Sequence, residues 1–556
     1  MDRGKLPTLG SSLGGMLILR LASQAATLTA VIILTRALGP NEFGRYAFLF
    51  SYLMLFTLFN VNGLNDILVR EAAARPAERN DLLRAGQWLK MMAGLSAYFF
   101  AVAILTLTGE SSLPLWVCYL GAITIFVSFS LGSTRTVWDV PYQVDFRMTI
   151  ASSFNLAAKL LFVASLVVWL LSGGVGRGTP PWGVIAAVLM QVGAETAGTL
   201  LQARGNRKFG YPMKPKRDRK LVRYLVREVW PLGLAGALVM IFTQINVVII
   251  KYFLGERAVG LFAAPKRFVD ALSLLPTVFI AGFLPLLARS YKEAQSYQVV
   301  TAASSPSGTV GEGKTTNLVS LQLITGMEST TPSFLPPREE ETSKQEKGFR
   351  SSEERGRFLK LVRLSYRVML ALALPVSGVV TFYAEPLMKL ISGAAFTESA
   401  PVLAIIIWAA PISFSGIIFS SVLVAAEAQR FLLLIFGLQV IMGLIIYPIC
   451  LVNWGIIGMA CGTIVVYPLM FPTALFFKRI AFAGRIWLEA LPLPLAAALG
   501  TGWVVKAFGV PTVLAMVLIP LLFYVIVFAT RWISREDIKM ARRIVGMKAD
   551  INGSTH

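Results

Sequence analysis

The stretch LGPNEFGRYAF, residues 38–48, recurs in outline as LGERAVGLFAA, residues 254–264. The two stretches lie 216 residues apart, share leucine, glycine and alanine at matching places, and pair Tyr46 with Phe262. Each joins two long apolar segments, and a glycine near each end of a stretch suits a tight turn with unusual backbone dihedral angles. The sequence therefore predicts an internal repeat, for which chance similarity of two short loops is the alternative explanation.

The composition around these stretches is that of a membrane protein. Of the 556 residues 55% are hydrophobic and 15% are charged, with a mean hydropathy of +0.66. Soluble proteins carry about 25% charged residues, and a membrane-spanning helix needs about 20 apolar residues. We expect an all-α polytopic membrane protein with about 14 transmembrane helices, at 16–38, 44–64, 88–109, 113–133, 149–171, 181–203, 229–253, 259–286, 365–384, 400–425, 431–452, 455–477, 486–508 and 510–530.

The distribution of lysine and arginine predicts the orientation of these helices. If the amino terminus is cytoplasmic, the outward segments hold few of the 52 basic residues: Arg36, Arg45, Arg177, Lys251, Arg257, Lys389 and Lys506. Most of the others lie in inward segments, with a dense cluster between Arg204 and Arg227. Basic loops stay on the cytoplasmic side. We therefore expect a multi-pass protein of the cell membrane with both termini cytoplasmic, and the net charge of +22 needs no nucleic-acid partner.

The repeat and the basic cluster divide the chain into units. Because six spans is an even number, two six-helix units have the same topology and are related by an axis along the membrane normal. The predicted units are an amino-terminal six-helix bundle at 1–203, a basic cytoplasmic linker at 204–228, a carboxy-terminal six-helix bundle at 229–478, two additional helices at 479–530 and a cytoplasmic tail at 531–556.

A polar insert at 291–357 interrupts the second bundle and is predicted to be disordered, because its composition cannot bury a core. Within it GTVGEGKT, residues 308–315, matches the phosphate-loop pattern. That motif needs a buried strand before it and a helix after it, whereas here it follows TAASSPS. We interpret the match as a coincidence of biased composition and predict no nucleotide cofactor.

Further stretches carry a resemblance to a known family. They are NGLNDILVRE at 62–71, AEPLMKLISGAAFTESAPVLAIIIWAAPISF at 384–414, LVAAEAQRFLLLIFGLQV at 423–440 and NWGIIGMACGTIVV at 453–466. With the repeated blocks, this ordered set resembles the Wzx-type polysaccharide flippases of the multidrug/oligosaccharidyl-lipid/polysaccharide superfamily, over about residues 10–480. The resemblance implies two six-helix bundles around a central cavity, two extra helices, and a polyprenyl-linked oligosaccharide moved from the inner to the outer leaflet.

Four cations within the spans are the predicted substrate-binding residues: Arg20, Lys159, Lys266 and Arg267. A lipid-linked sugar carries a charged pyrophosphate, which arginine binds bidentately and lysine as a point charge. Burying a charge in a span costs several kcal/mol unless it is hydrated or paired. Snorkelling to headgroups or a structural ion pair is the alternative role. Because Lys266 and Arg267 point about 100° apart on a helix, at most one of them faces the cavity centre.

Three carboxylates are candidates for ion coupling: Asp66, Glu195 and Asp270. Asp270 follows Lys266 by four residues, which suits a structural pair on one helix face. Glu195 either lines the cavity or bridges helices, and Asp66 has Arg70 as a candidate partner. Where many relatives of the resembling family carry an acid in the seventh helix, this chain has Asn246, which weakens cation coupling there.

The alternatives are a lipid II flippase or multidrug exporter of the same superfamily, or an integral-membrane glycosyltransferase or polymerase. Exporters of cationic drugs favour cavity carboxylates, and a polymerase needs a large outer loop, whereas the predicted outer loops are short. The single histidine is His556, so no catalytic residue or metal site is predicted. The expected partners are the polyprenyl-linked glycan and membrane lipids, with other polysaccharide assembly proteins as candidates.

Overall fold

The computed structural model describes residues 9–109, 113–128, 133–173, 182–212, 214–273, 276, 287, 290–291, 338–426, 428 and 430–533. Within these residues every regular element is a helix, as the sequence predicts. The α-helices are α1 Leu9–Phe56, α2 Leu64–Ala74, α3 Arg79–Thr108, α4 Leu115–Ala122, α5 Thr124–Val127, α6 Val140–Val144, α7 Met148–Leu171, α8 Trp182–Lys208, α9 Arg219–Leu272, α10 Arg338–Phe382, α11 Ala384–Ser392, α12 Ala400–Ile406, α13 Ala409–Ala425, α14 Arg430–Val466, α15 Met470–Leu475, α16 Ala481–Ala490, α17 Pro492–Ala507 and α18 Thr512–Ala529. Short 3-10 helices cover Thr57–Phe59, Pro76–Glu78, Thr134–Asp139, Ala394–Ser399 and Tyr467–Leu469.

Three of the long helices are broken at a glycine with positive φ. The breaks are at Gly39 in α1, Gly255 in α9 and Gly455 in α14, with φ of 69°, 80° and 58°. Glycine adopts this region without the steric cost that a Cβ brings. A straight helix of 48 residues, the length of α1, would extend about 72 Å, more than twice the hydrocarbon thickness of a bilayer of about 30 Å. At this length a single broken helix is long enough for two spans, as the sequence predicts for α1.

Contacts across the breaks show that the two arms fold back on each other. In α14, the Gln439 side chain donates hydrogen bonds to the backbone oxygens of Val466 at 3.4 Å and of Tyr467 at 2.9 Å. Thr27 of α1 and Thr57, the first residue of the 3-10 helix that follows α1, line one cavity, although a straight helix would separate them by about 45 Å. α1 and α14 are therefore hairpins, as the repeat predicts for α1; in α9 the helix breaks at Gly255, where the repeat predicts the turn.

The number of spans stays a prediction. In the part of the chain that the structure describes, nine helices are long and apolar enough to cross a membrane, or ten if the bent pair Ala394–Ile406 and Ala409–Ala425 is one span. Three of the nine contain the glycine breaks, and the shorter apolar helix at Leu115–Val127 covers another predicted span. The arrangement is compatible with 14 crossings without establishing that count.

The second glycine of each repeated stretch packs against the other repeat. A Cβ on Gly44 would lie 1.9 Å from the backbone oxygen of Glu256, and a Cβ on Gly260 would lie 1.9 Å from the backbone oxygen of Pro40. This reciprocal contact, here called the outer contact, is what a twofold axis between like units produces. The turn itself is made at Gly39 and Gly255, so the expectation that both glycines of each stretch serve a turn is wrong for Gly44 and Gly260.

The two bundles also meet at the opposite end, in what we call the inner contact. A Cβ on Gly63 would lie 2.8 Å from the Leu232 Cβ, and one on Gly236 would lie 2.5 Å from the Asn62 Cβ. The bundles are thus in contact at both ends of the molecule.

Helices extend into both polar segments of the sequence. In the predicted linker 204–228, α8 continues to Lys208 and α9 begins at Arg219, where the Asp218 side chain accepts hydrogen bonds from the backbone amides of Lys220 and Leu221. In the insert 291–357, α10 begins at Arg338, so the prediction of disorder is wrong from that residue on. Opposite charges four residues apart in this sequence favour a helix. GTVGEGKT at 308–315 lies outside the described residues.

The last helices pack against α10. The Tyr524 hydroxyl of α18 donates to the backbone oxygen of Ala371 at 3.1 Å, and a Cβ on Gly502 of α17 would lie 2.4 Å from the Phe382 ring. Both helices therefore pack on the second bundle along α10, which contains the ninth predicted span of the chain.

Candidate functional site

A central cavity of about 190 Å³ lies between the arms of α1 and extends to α7, α8 and the second arm of α9. About half of its described lining residues are apolar. The polar and charged lining residues are Thr27, Tyr46, Thr57, Thr124, Ser128, Lys159, Gln191, Glu195 and Arg267. Among the described lining residues only Arg267 comes from the second repeat, so the described part of the lining belongs mainly to the predicted first bundle.

Lys159 and Glu195 form an ion pair in this cavity, at 3.1 Å between Nζ and Oε1. The Lys159 side chain is 23% exposed and the Glu195 side chain 2% exposed. Glu195 Oε2 has no hydrogen-bond partner among the described residues, and the neighbouring Gln191 accepts a hydrogen bond from the Tyr46 hydroxyl. Glu195 therefore holds Lys159 in place and neutralises its charge in this conformation.

Arg267 reaches the cavity from α9 and forms no ion pair with any described residue. Its neighbour Lys266 instead pairs with Asp270, at 2.8 Å between Nζ and Oδ2, and is absent from the lining. The structural pair predicted from the four-residue spacing is confirmed. Because Lys159 and Glu195 cancel, Arg267 gives the described cavity wall a net charge of about +1.

The structure places the remaining predicted residues outside the cavity. Arg20 is exposed on α1 and does not line it. Asp66 is exposed on α2, and Arg70 forms ion pairs with Glu71 at 2.9 Å and Glu228 at 3.0 Å rather than with Asp66. Of the seven predicted residues, the structure brings together Lys159, Glu195 and Arg267; substrate binding by Arg20 and Lys266, and ion coupling by Asp66 and Asp270, stay predictions.

A charged cluster surrounds the outer contact. Arg45 pairs with Glu42 at 2.8 Å and with Glu256 of the other repeat, and Lys251 pairs with Glu256 at 3.1 Å. The Glu256 side chain is only 12% exposed. The outer contact thus combines close backbone packing with a partly buried ion pair between the bundles.

Two buried cations were not predicted. Arg135 is 4% exposed and pairs with Asp139 at 3.3 Å, while Gln202 donates to the same carboxylate at 2.8 Å. Lys90 is 1% exposed on α3. The hydropathy pattern assigns both to inner helix ends, where a basic residue is ordinarily exposed, so it gave no signal of their burial.

Sequence comparison finds a protein family and a relative to which this chain is similar. Residues 14–291, half of the chain, match the family described as polysaccharide biosynthesis protein. The succinoglycan biosynthesis transport protein ExoT of Rhizobium meliloti (strain 1021) is 21% identical over 265 residues, which are 47% of this chain and 50% of that protein. The chain therefore aligns with about half the length of this relative.

Solved structures share the fold. The lipid II flippase MurJ, in an inward closed conformation, matches with a TM-score of 0.60 and 13% identity over 93% of this chain and 99% of its own. An inward-facing multidrug resistance transporter of the MATE family matches with a TM-score of 0.54 and 12% identity, over 86% and 99%. A transporter of the MOP superfamily from Pyrococcus furiosus matches with a TM-score of 0.52 and 12% identity, over 88% of this chain and 98% of its own.

Proposed function

This chain belongs to the polysaccharide biosynthesis protein family, and from that membership we propose that it is a flippase for a polyprenyl (pyro)phosphate-linked oligosaccharide. We propose movement from the inner to the outer leaflet by alternating access, in the biosynthesis of a cell-surface polysaccharide. The chain is a multi-pass helical membrane protein with the fold of this transporter superfamily. The name of the succinoglycan transport relative supports a polysaccharide precursor as cargo.

The observation that carries the proposal is the guanidinium of Arg267, which lines the cavity and forms no ion pair with any described residue. A pyrophosphate offers several anionic oxygens, and an arginine fork donates two parallel hydrogen bonds to such a group. Lys159 lines the same cavity, and its pairing with Glu195 leaves Arg267 as the source of the net positive charge of the described lining. The apolar remainder of the lining gives these charges a low-dielectric surrounding, in which an ionic contact is stronger than in water.

The size of the cavity supports a cycle in which the bundles separate. At about 190 Å³ it is smaller than typical ligand pockets of about 300–1,000 Å³, so an oligosaccharide needs a wider space. The inner and outer contacts are the places where the bundles would part alternately. A membrane potential is a candidate driving force, since one charge moved through 100 mV yields about 2.3 kcal/mol.

Depletion of the protein tests this function. We expect a lipid-linked glycan to accumulate on the inner leaflet, measured by extraction and mass spectrometry with a leaflet-selective label. Absence of any such glycan, or accumulation of lipid II in its place, would contradict the proposed cargo.

Arg267→Ala should lower glycan export about 10- to 100-fold in the same depleted cells. Hydrogen bonds to a charged group contribute about 1.5–3 kcal/mol, and each 1.4 kcal/mol is a factor of about ten. Arg223→Ala is the matched control, because it removes an exposed arginine that does not line the cavity and is not a predicted site residue. Equal loss in both variants, at equal protein levels, would show that the cavity placement of Arg267 is not what transport requires.

A further inference from the structure

The inner contact is made by a strained turn, residues 60–63, between the first bundle's Thr57–Phe59 helix and α2. Val61 has φ of 49° and Gly63 has φ of 85°. A branched residue such as valine is a genuine outlier in the left-handed region, and a strained residue persists only where its surroundings hold it. Asn62 and Gly63 of this turn are the residues that touch α9.

A buried lysine holds the strained residue. Lys90 Nζ donates to the backbone oxygen of Val61 at 3.5 Å, a long hydrogen bond. An ammonium group has three donors, yet among the described residues Lys90 has no second acceptor and no carboxylate within ion-pair distance. With a side chain only 1% exposed, the charged form is poorly compensated, whereas the neutral amine avoids the cost of a buried charge.

Among the described groups that face this site, the Asp66 carboxyl group is the one anion that acts on Lys90. Asp66, exposed on α2, is the carboxyl group whose charge acts on Lys90. The 3-10 helix Thr134–Asp139 presents Thr134 to Asn60 at 3.4 Å, and α9 presents Leu232 and Gly236 to the turn. The side chains of Asn60, Thr134 and Leu232 are uncharged, and Gly236 has none.

We propose that Lys90 is a proton-binding site whose occupancy controls the inner contact. When the amine is protonated, it donates to the Val61 oxygen and holds the turn against α9. When the proton leaves Nζ for water beside the exposed Asp66, the hydrogen bond weakens, the turn relaxes, and the bundles part at this end. The role of this site in a transport cycle rests on the proposed function, but proton binding and separation do not require cargo.

Spin-label distances on the full chain in lipid nanodiscs test this. Nitroxides attached at Ala77→Cys and Val226→Cys lie on the 3-10 helix Pro76–Glu78 and on α9, at exposed positions that make no polar contact in the described structure. The native cysteines 118, 450 and 461 are replaced by serine. Between about pH 5 and pH 9, electron–electron double resonance should show a short distance giving way to a longer one as the pH rises.

Variants of the site assign that change to Lys90. Lys90→Met should give the longer distance at every pH, and Lys90→Arg, which stays charged, the shorter one at every pH. Asp66→Asn should move the transition to lower pH, because the favourable anion is lost. A pH-dependent distance that survives in Lys90→Met or in Lys90→Arg would overturn the proposal, and so would a constant distance in the parent protein. If Lys90→Met does not fold, Lys90→Arg and Asp66→Asn decide. No cargo is present, so these results stand whether or not the glycan proposal does.

Discussion

Replacement of Gly44 by alanine is expected to lower glycan export roughly 5- to 150-fold. The new Cβ would lie 1.9 Å from the backbone oxygen of Glu256, a distance that no packed structure tolerates, and backbone on the far side cannot rotate away. Overpacking of this kind costs about 1–3 kcal/mol, which shifts a two-state equilibrium by about 5- to 150-fold. The state with the outer contact closed is depopulated, and Gly260→Ala should act in the same way through Pro40.

The control is another glycine-to-alanine change within a helix. Gly437 has nothing within 4 Å of the position that a Cβ would take, so Gly437→Ala should leave export unchanged. A thiol cross-link between Arg45→Cys and Glu256→Cys reports whether the outer contact forms, and its yield should fall with Gly44→Ala and not with Gly437→Ala. Cysteines at 44 and 260 themselves are unsuitable, because they would separate the surfaces they are meant to join. An unchanged cross-link and full export in Gly44→Ala would contradict the importance of this packing.

Lys159→Glu is expected to lower export more than 100-fold. The change places a second carboxylate beside Glu195, whose side chain is 2% exposed, and breaking a buried ion pair costs about 3–5 kcal/mol. It also puts a negative charge where the anionic cargo is proposed to bind. Export is measured in depleted cells, and the midpoint of thermal unfolding in detergent is measured on the purified protein.

The charge swap Lys159→Glu with Glu195→Lys separates these two causes. It restores an ion pair between α7 and α8, so the unfolding midpoint should return toward that of the parent protein. Export should stay low, because the positive charge now stands on the other helix and points at the pyrophosphate from a different place. Full export by the swapped protein would mean that the pair serves stability alone.

The sequence predicted the parts of this fold that depend on local pattern. The glycine breaks of α1 and α9 followed from the repeat, and the Lys266–Asp270 pair followed from helical spacing. The same spacing separated Lys266 from Arg267, of which only Arg267 lines the cavity. Local periodicity was sufficient for these features because each is decided within one or two helical turns.

Features that depend on distant contacts could not be predicted. Arg45 and Glu256 are 211 residues apart in the chain, and nothing near either residue indicates the other. For Arg20 the sequence could not predict which side of α1 faces the cavity. Hydropathy gives the depth of a residue in a span, but α1 is apolar on all sides, so no pattern marks the side that lines the cavity. Lys90 is buried beside the turn at Val61, a contact between residues 29 apart in the chain that helical spacing does not indicate.

The reciprocal packing of Gly44 and Gly260 has the form of a contact between two identical subunits. In an isologous interface one patch meets a copy of itself, so any residue of the patch is used twice. Here the close backbone approach does occur twice, once at Glu256 and once at Pro40. The ion pair occurs once, because Leu261 and Pro40 stand where the repeat would put the counterparts of Arg45 and Glu256. In a dimer of half-length chains, every charged residue of this patch would occur twice. In the fused chain the two sides of the outer contact can differ, so that one side has the Arg45–Glu256 ion pair and the other, at Pro40 and Leu261, has uncharged packing alone.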